Sequence, residues 1–195
     1  MILYRKSKKE YIKYICIIVI IIFHSILSFQ IGFIFSKKIN NKKNKNKIEI
    51  FSNFTSYSQH LEDLFLFSIF HDVKNGFYID VGAHDPNVIS VTKAFYLKGW
   101  YGINIEPIPN LFKALQIERR RDINLNFGIG DKEGIASLNI DNKCRACTSL
   151  IKKKVNDTER YSYLNITIKT MSYVCKKYVP KNEEIQFCKI DVGRF

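Results

Sequence analysis

The chain has 195 residues, 46% of them hydrophobic, and a formal net charge of +13. That length accommodates one domain plus appendages. The charge suggests nucleic acid until it is mapped: residues 1–50 hold a net +9 and residues 51–195 only a net +4. The globular part therefore lacks the clustered basic face that phosphate-backbone binding needs, and no nucleic-acid partner is expected.

The basic excess flanks one apolar segment, "YICIIVIIIFHSILSFQIGFIF", Tyr14 to Phe35. As a helix it would span about 33 Å, enough for a hydrocarbon core of about 30 Å. His24, Ser25, Ser28 and Gln30 are its clearly polar side chains, and none is permanently charged. No small-x-small cleavage site of a secretory signal closes it clearly. The next stretch begins with twelve residues that are almost all Lys and Asn, too polar to bury a core. The expected organisation is a basic flank over 1–13, a single-pass transmembrane anchor over 14–35, a tether over 36–55 and a globular domain over 56–195. Membrane localisation follows, with the orientation left open by basic residues on both sides of the span.

Of five cysteines, Cys16 lies in the anchor. Cys144 and Cys147 have CxxC spacing, but no second pair or paired histidines accompany them. A zinc site would lack half its ligands, so no metal is expected. Cys188 falls in an apolar run and reads as a small core residue. The sequons at Asn53, Asn156 and Asn165 matter only in a secretory lumen.

From residue 57 the elements follow in order. "YSQHLEDLFLFSIFHD" offers Ser58 as helix N-cap, acids in the first turn and a broad apolar face, predicting a helix over 59–71. "NGFYIDVG" is a turn and a short strand. "NVISVTKAFYLKGW" predicts a helix closed by Gly99. "YGINIEP" is a second strand ending on an acid, and "PNLFKALQIERR" a third helix with Pro109 in its first turn. "INLNFGIGD" is a third strand, "GIASLNI" an exposed or hairpin strand, and "DNKCRACTSLIKKKVNDTER" a loop. "YLNITIKT" then reads as a strand, "MSYVCKKYV" as a short helix and "IQFCKIDV" as a fourth buried strand. Strands alternating with helices predict an α/β domain with a parallel, doubly wound sheet.

Asp80 and Glu106 stand at the ends of successive strands. In a doubly wound sheet such ends lie side by side, and the second acid can accept both ribose hydroxyls of a nucleoside-like ligand. A dinucleotide would call for G-x-G-x-x-G and a pyrophosphate on a helix N-terminus. This chain has "DVGAHDP", and Asp85 would repel a pyrophosphate. S-adenosylmethionine has no phosphate and carries a sulfonium and an ammonium, so acids in the loop suit it.

The runs "YSQHLEDLFLFSIF", "GFYIDVGAHDPNVIS", "FYLKGWYGINIEPIPNLFKAL", "NLNFGIGDKEG" and "IQFCKIDV" together resemble the FkbM-type methyltransferase family over roughly residues 57–192. The resemblance implies a class I, Rossmann-like methyltransferase sheet, S-adenosylmethionine as cofactor and a hydroxyl oxygen of a sugar or related small molecule or glycan as acceptor. By position it places Asp80, Gly82, Ala83 and His84 beneath the methionine and ribose of the cofactor, and Glu106 on the ribose. It sets Asn126, Phe127 and Gly128 beside the adenine. Gln59 and Asp63 match polar positions of the leading helix that face the cofactor, the alternative being a solvated helix start. A loop histidine with no role is the alternative for His84. Asp191, ending the fourth strand, is the candidate proton acceptor, or else a residue that only hydrogen-bonds backbone.

The family's fourth strand ordinarily continues K-I-D-V-E-G, whereas this chain reads "KIDVGRF". Against the seven strands of a class I methyltransferase, the C-terminal strands are missing, and an open edge beside the fourth strand is expected. Two other readings follow: a membrane-tethered remnant of the same fold that binds without catalysing, and a basic surface adaptor holding anionic lipid through the tether.

Overall fold

The computed structural model describes residues 17–19, 54–141, 148–149 and 161–192. Its elements are β1 (Ile17–Val19), α1 (Glu62–Phe70), β2 (Phe77–Val81), α2 (Lys93–Leu97), β3 (Tyr101–Ile105), α3 (Pro109–Glu118), β4 (Ile123–Leu125), β5 (Gly128–Ile129), β6 (Gly134–Asp141), β7 (Thr148–Ser149), β8 (Tyr161–Lys169), α4 (Met171–Tyr178) and β9 (Ile185–Ile190).

The main sheet has the order β1-β9-β2-β3-β4, and every pairing in it is parallel. The chain winds from β2 outward to β4, then returns to lay β9 on the other side of β2. The β2–β9 boundary is thus a topological switch point, where open α/β sheets bind ligands beyond their carboxyl ends. Every residue of β2 is buried, as expected of a central parallel strand covered on both faces.

Alternation along the strands sorts the core into two layers. Phe77, Ile79 and Val81 pack with Ile103, Ile105, Leu125, Cys188 and Val174 of α4. Tyr78 faces the opposite way, with Leu66 and Phe67 of α1, Phe95 of α2, Trp100 and Phe187. Cys188 takes the core position expected for it. By the same parity Asp80, Asn104 and Lys189 share the face of Tyr78, so the polar residues of the strand ends all lie on one side of the sheet.

A second sheet, of order β5-β8-β6-β7, is built on an antiparallel ladder between β6 and β8 that runs from Gly134↔Ile168 to Asp141↔Tyr161. This realises the hairpin reading of "GIASLNI".

Several elements differ from their sequence reading, each for a local reason. The leading helix starts at Glu62 rather than residue 59, with Leu61 at its N-cap position; Ser58 stands further back, where its hydroxyl donates to Asp63 Oδ1 at 2.7 Å and accepts from Asp63 N–H at 3.4 Å. Helix α2 is confined to Lys93–Leu97. The preceding residues do not join it: Ile89 sits at φ 57°, the Pro86 carbonyl accepts hydrogen bonds from Arg119, and Ser90 N–H donates to Tyr57 O rather than back along the chain. Its end is as expected: Gly99 at φ 94°, with Gly99 N–H donating to Tyr96 O and Trp100 N–H to Phe95 O, closes a Schellman motif. The expected third strand splits into β4 and β5, the second of which joins the other sheet.

Of the 14–35 segment only Ile17–Val19 is described. There the chain is extended and pairs with β9 in the register Ile17↔Phe187, Ile18↔Cys188 and Val19↔Lys189. This β-branched tripeptide covers the edge of β9 that the sequence left open. It also differs from the helix expected of an anchor; the remainder of that segment lies outside the described residues, as do Cys16, Cys144 and Cys147. Among the described residues no helix is long and apolar enough to cross a membrane.

Candidate functional site

Gly82 sits where β2, β3 and β9 converge. Its N–H and that of Ala83 both donate to Ile105 O, at 2.9 and 3.2 Å. Its carbonyl accepts from Lys189 Nζ at 2.7 Å. Its φ of 72° lies in the left-handed region, and a Cβ added there would stand 2.0 Å from the Asp191 carbonyl oxygen. Only glycine tolerates both conditions.

Asp80 is buried, with its Oδ2 accepting from Thr92 Oγ1 at 2.9 Å. Its Oδ1 has no hydrogen bond of good geometry, but Lys189 Nζ lies 3.2 Å away as an ion pair. The same ammonium is 3.7 Å from Asp191 Oδ2. Asp191 has two faces: its backbone N–H donates to Val81 O, while its carboxylate is 78% exposed beside Lys189.

Glu106 follows β3 and is only 4% exposed. His84 N–H donates to its Oε2 at 2.8 Å and Ile108 N–H to its Oε1 at 2.9 Å. Burial pushes its pKa up, and these two donors oppose the shift. Each oxygen retains acceptor capacity beyond its one backbone donor. The glutamate thus ties the loop after β2 to the turn before α3. His84 itself is half-buried and takes φ 54° to present that amide.

Asn126 is exposed and donates Nδ2 to the carbonyls of Glu106 and Pro107, at 2.8 and 3.0 Å. It holds the glutamate's own backbone. Gly128 lies in β5, paired with Ile168 of the second sheet, and the neighbouring Phe127 joins the core under α4. Gln59 is exposed. Asp63, expected near the cofactor, is fully buried and accepts from Ser56 Oγ, Ser58 Oγ and Tyr57 N–H. It shapes a turn whose Tyr57 carbonyl accepts from Ser90 N–H at 3.0 Å, so it reaches the loop after β2 at one remove.

Four residues that hold this site were not singled out from sequence. Lys189 had a signal: a lysine inside the apolar run "IQFCKIDV" must find a partner if it is buried. Thr92 and Asp122 had none. Arg119 was hidden in "ERRRD", where nothing marks which arginine turns inward; it is fully buried, while Arg120 and Arg121 are exposed. Beneath them Asp122 accepts from Tyr78 OH at 2.7 Å and from Asn104 Nδ2 at 2.9 Å. Burial raises the Asp122 carboxyl, and burial together with Asp122 pushes the Tyr78 phenol well above its ordinary value.

Three carboxylates, Asp80, Glu106 and Asp191, therefore stand at the carboxyl ends of adjacent parallel strands, with one ammonium, Lys189, paired to Asp80 and Asp191. That balance suits a ligand bearing positive charge and hydroxyl groups better than one bearing phosphate. No curated protein and no solved structure matches the chain. The family model described as the methyltransferase FkbM domain matches residues 80–192, from the acid of β2 to just past β9. With that span, and with a parallel sheet reversing at β2, the chain belongs to the FkbM methyltransferase family.

Proposed function

We propose that the chain binds S-adenosylmethionine at the ends of β2 and β3 and methylates a hydroxyl of a sugar or related small-molecule or glycan acceptor. Glu106 carries the reading. It is a buried carboxylate on the second strand's end, fixed by two backbone amides and standing across the loop from Asp80. Members of this family generally use that cofactor, whose sulfonium supplies a transferable methyl group.

In this reading Glu106 accepts the ribose hydroxyls with the lone pairs that His84 and Ile108 leave free. Gly82 and Ala83 let the backbone lie close to the ligand. Lys189 keeps Asp80 paired, so the remaining negative charge near the strand ends belongs to Glu106 and to the exposed Asp191. Asp191, exposed beside Lys189, accepts the proton of the incoming hydroxyl in this reading. The apolar 14–35 segment supports a membrane-anchored location in the same proposal.

Isothermal titration of S-adenosylmethionine into the full chain tests this, with Glu106→Ala alongside. Saturable binding that the variant weakens by about 2 kcal/mol, roughly thirtyfold, supports the site. A folded chain that does not bind rules it out. A second reading, binding without turnover, draws support from the glycine at position 193, where the family ordinarily places glutamate. Binding with no methyl transfer to any hydroxyl acceptor in a sugar and glycan panel would favour it.

A further inference from the structure

Building on the cofactor site proposed above, we propose that Arg119 is a positioning residue that clamps the strained 82–92 loop in its cofactor-receiving shape. The loop holds three residues in the left-handed region: Gly82 at φ 72°, His84 at 54° and Ile89 at 57°. Glycine accepts such a φ freely, but a β-branched residue there is a genuine outlier that surrounding structure must enforce. The side chains at the bend do not enforce it, since Val88 and Ile89 are 61% and 50% exposed, and the nearest core anchor is Val91.

The restraint comes from below. Arg119 Nη2 donates to Pro86 O and Ser90 Oγ, both at 2.9 Å, and Nε also donates to Pro86 O at 3.2 Å. Nη1 reaches Thr92 O at 3.4 Å, and Thr92 in turn holds Asp80. The guanidinium thus grips the loop on both sides of Ile89. It is itself held by Asp122 at 3.8 Å and by the Tyr96 ring at 4.8 Å. A planar fork of five donors can serve these acceptors together, whereas an ammonium cannot reach them all. Ser90 N–H adds a further tie near Ile89, to Tyr57 O, and Asp85 adds bonds to Asn87 and Val88 within the loop.

The test uses the full chain and four forms: wild type, Arg119→Lys, Ile89→Gly and the double variant. Affinity for S-adenosylmethionine, hydrogen exchange of residues 87–93 and the denaturant midpoint are read in each. Arg119→Lys is expected to weaken binding at least tenfold and to speed exchange in the loop while β2 and β3 stay protected. Ile89→Gly alone should leave affinity within about twofold. Added to Arg119→Lys, it should restore at least threefold, because the loop no longer needs to be forced into the left-handed region. Unchanged affinity in Arg119→Lys overturns the clamp. So does a loss that tracks the global midpoint and is not rescued by Ile89→Gly. If the wild type binds no cofactor, the proposed function fails, and loop exchange alone decides the clamp: faster in Arg119→Lys upholds it, unchanged overturns it. If Arg119→Lys does not fold, Ser90→Ala removes one acceptor; severalfold weaker binding upholds the clamp and wild-type binding overturns it.

Discussion

Gly82 and Asp191 are 109 positions apart in sequence, yet a single added carbon on Gly82 would sit 2.0 Å from the Asp191 carbonyl oxygen. The obstacle is backbone, so it cannot swing aside as a side chain would. Gly82→Ala must either force β9 away from β2 or abandon its φ of 72°, and the loop that starts there would move with it. A loss of about 2 kcal/mol or more in unfolding free energy is expected, with cofactor binding lost as well. Denaturant titration and calorimetry read the two effects separately. A midpoint equal to wild type would show that the junction is looser than its geometry.

Lys189 and Asp80 form a second junction between the same strands, at 3.2 Å, with the lysine side chain 11% and the aspartate 1% exposed. Removing one partner of such a pair leaves a buried charge uncompensated. Lys189→Met is therefore expected to cost about 3 kcal/mol, while the double variant with Asp80→Asn should recover most of it. A double-mutant cycle on unfolding free energies checks this. Additive losses would mean that Lys189 acts through Gly82 O rather than through Asp80.

Glu106 makes the site sensitive to acid. Its pKa in the folded chain is raised, chiefly by burial, so the folded state holds a proton more tightly than the unfolded state does. The sign follows: its contribution to stability falls as pH rises from the ordinary carboxylate value through the raised one, and the cost is complete above both. Ligand binding runs the other way, because accepting ribose hydroxyls needs the ionised form. Cofactor affinity is thus expected to fall on acidification with a midpoint above the ordinary glutamate range. Glu106→Gln should bind weakly at every pH and show no such step. Titrations across the acidic range decide it, and a wild-type profile as flat as that of the variant would remove Glu106 from the ligand.

Much of this architecture was legible in the sequence because it rests on period and composition. The unbroken run Phe77–Val81 and the acids closing "FYID" and "INIE" identify central parallel strands and where they end. What was not legible depends on contacts between distant segments. The helical reading of 87–92 failed because Arg119, some thirty residues on, takes the Pro86 carbonyl and Tyr57, some thirty residues back, takes the Ser90 N–H. Asp63 looks like a first-turn acid, and nothing local says that the Ser56–Ser58 turn folds back over it. Nothing local to Gly128 says that its strand pairs with Ile168 of the second sheet, forty residues later.

Ile17–Val19 cannot lie in a membrane-spanning helix and in the ladder with Phe187, Cys188 and Lys189 at once. The two states differ in driving force. A three-residue parallel edge pairing is short, and its cross-strand contacts are worth roughly 0.2–1 kcal/mol each. By contrast, Ile, Val, Leu and Phe at the centre of a spanning helix each gain about 0.3–0.6 kcal/mol in the bilayer, and the 14–35 segment is dominated by them. With a bilayer present, the full chain is therefore expected to stay in the pellet through alkaline carbonate extraction, with fast hydrogen exchange along the outer edge of β9. Ile18→Pro should leave both readouts unchanged, because the ladder it would break is already vacated. Release into the supernatant, with slow exchange at 187–189 that Ile18→Pro abolishes, would instead assign the segment to the sheet and remove the anchor from the proposed function.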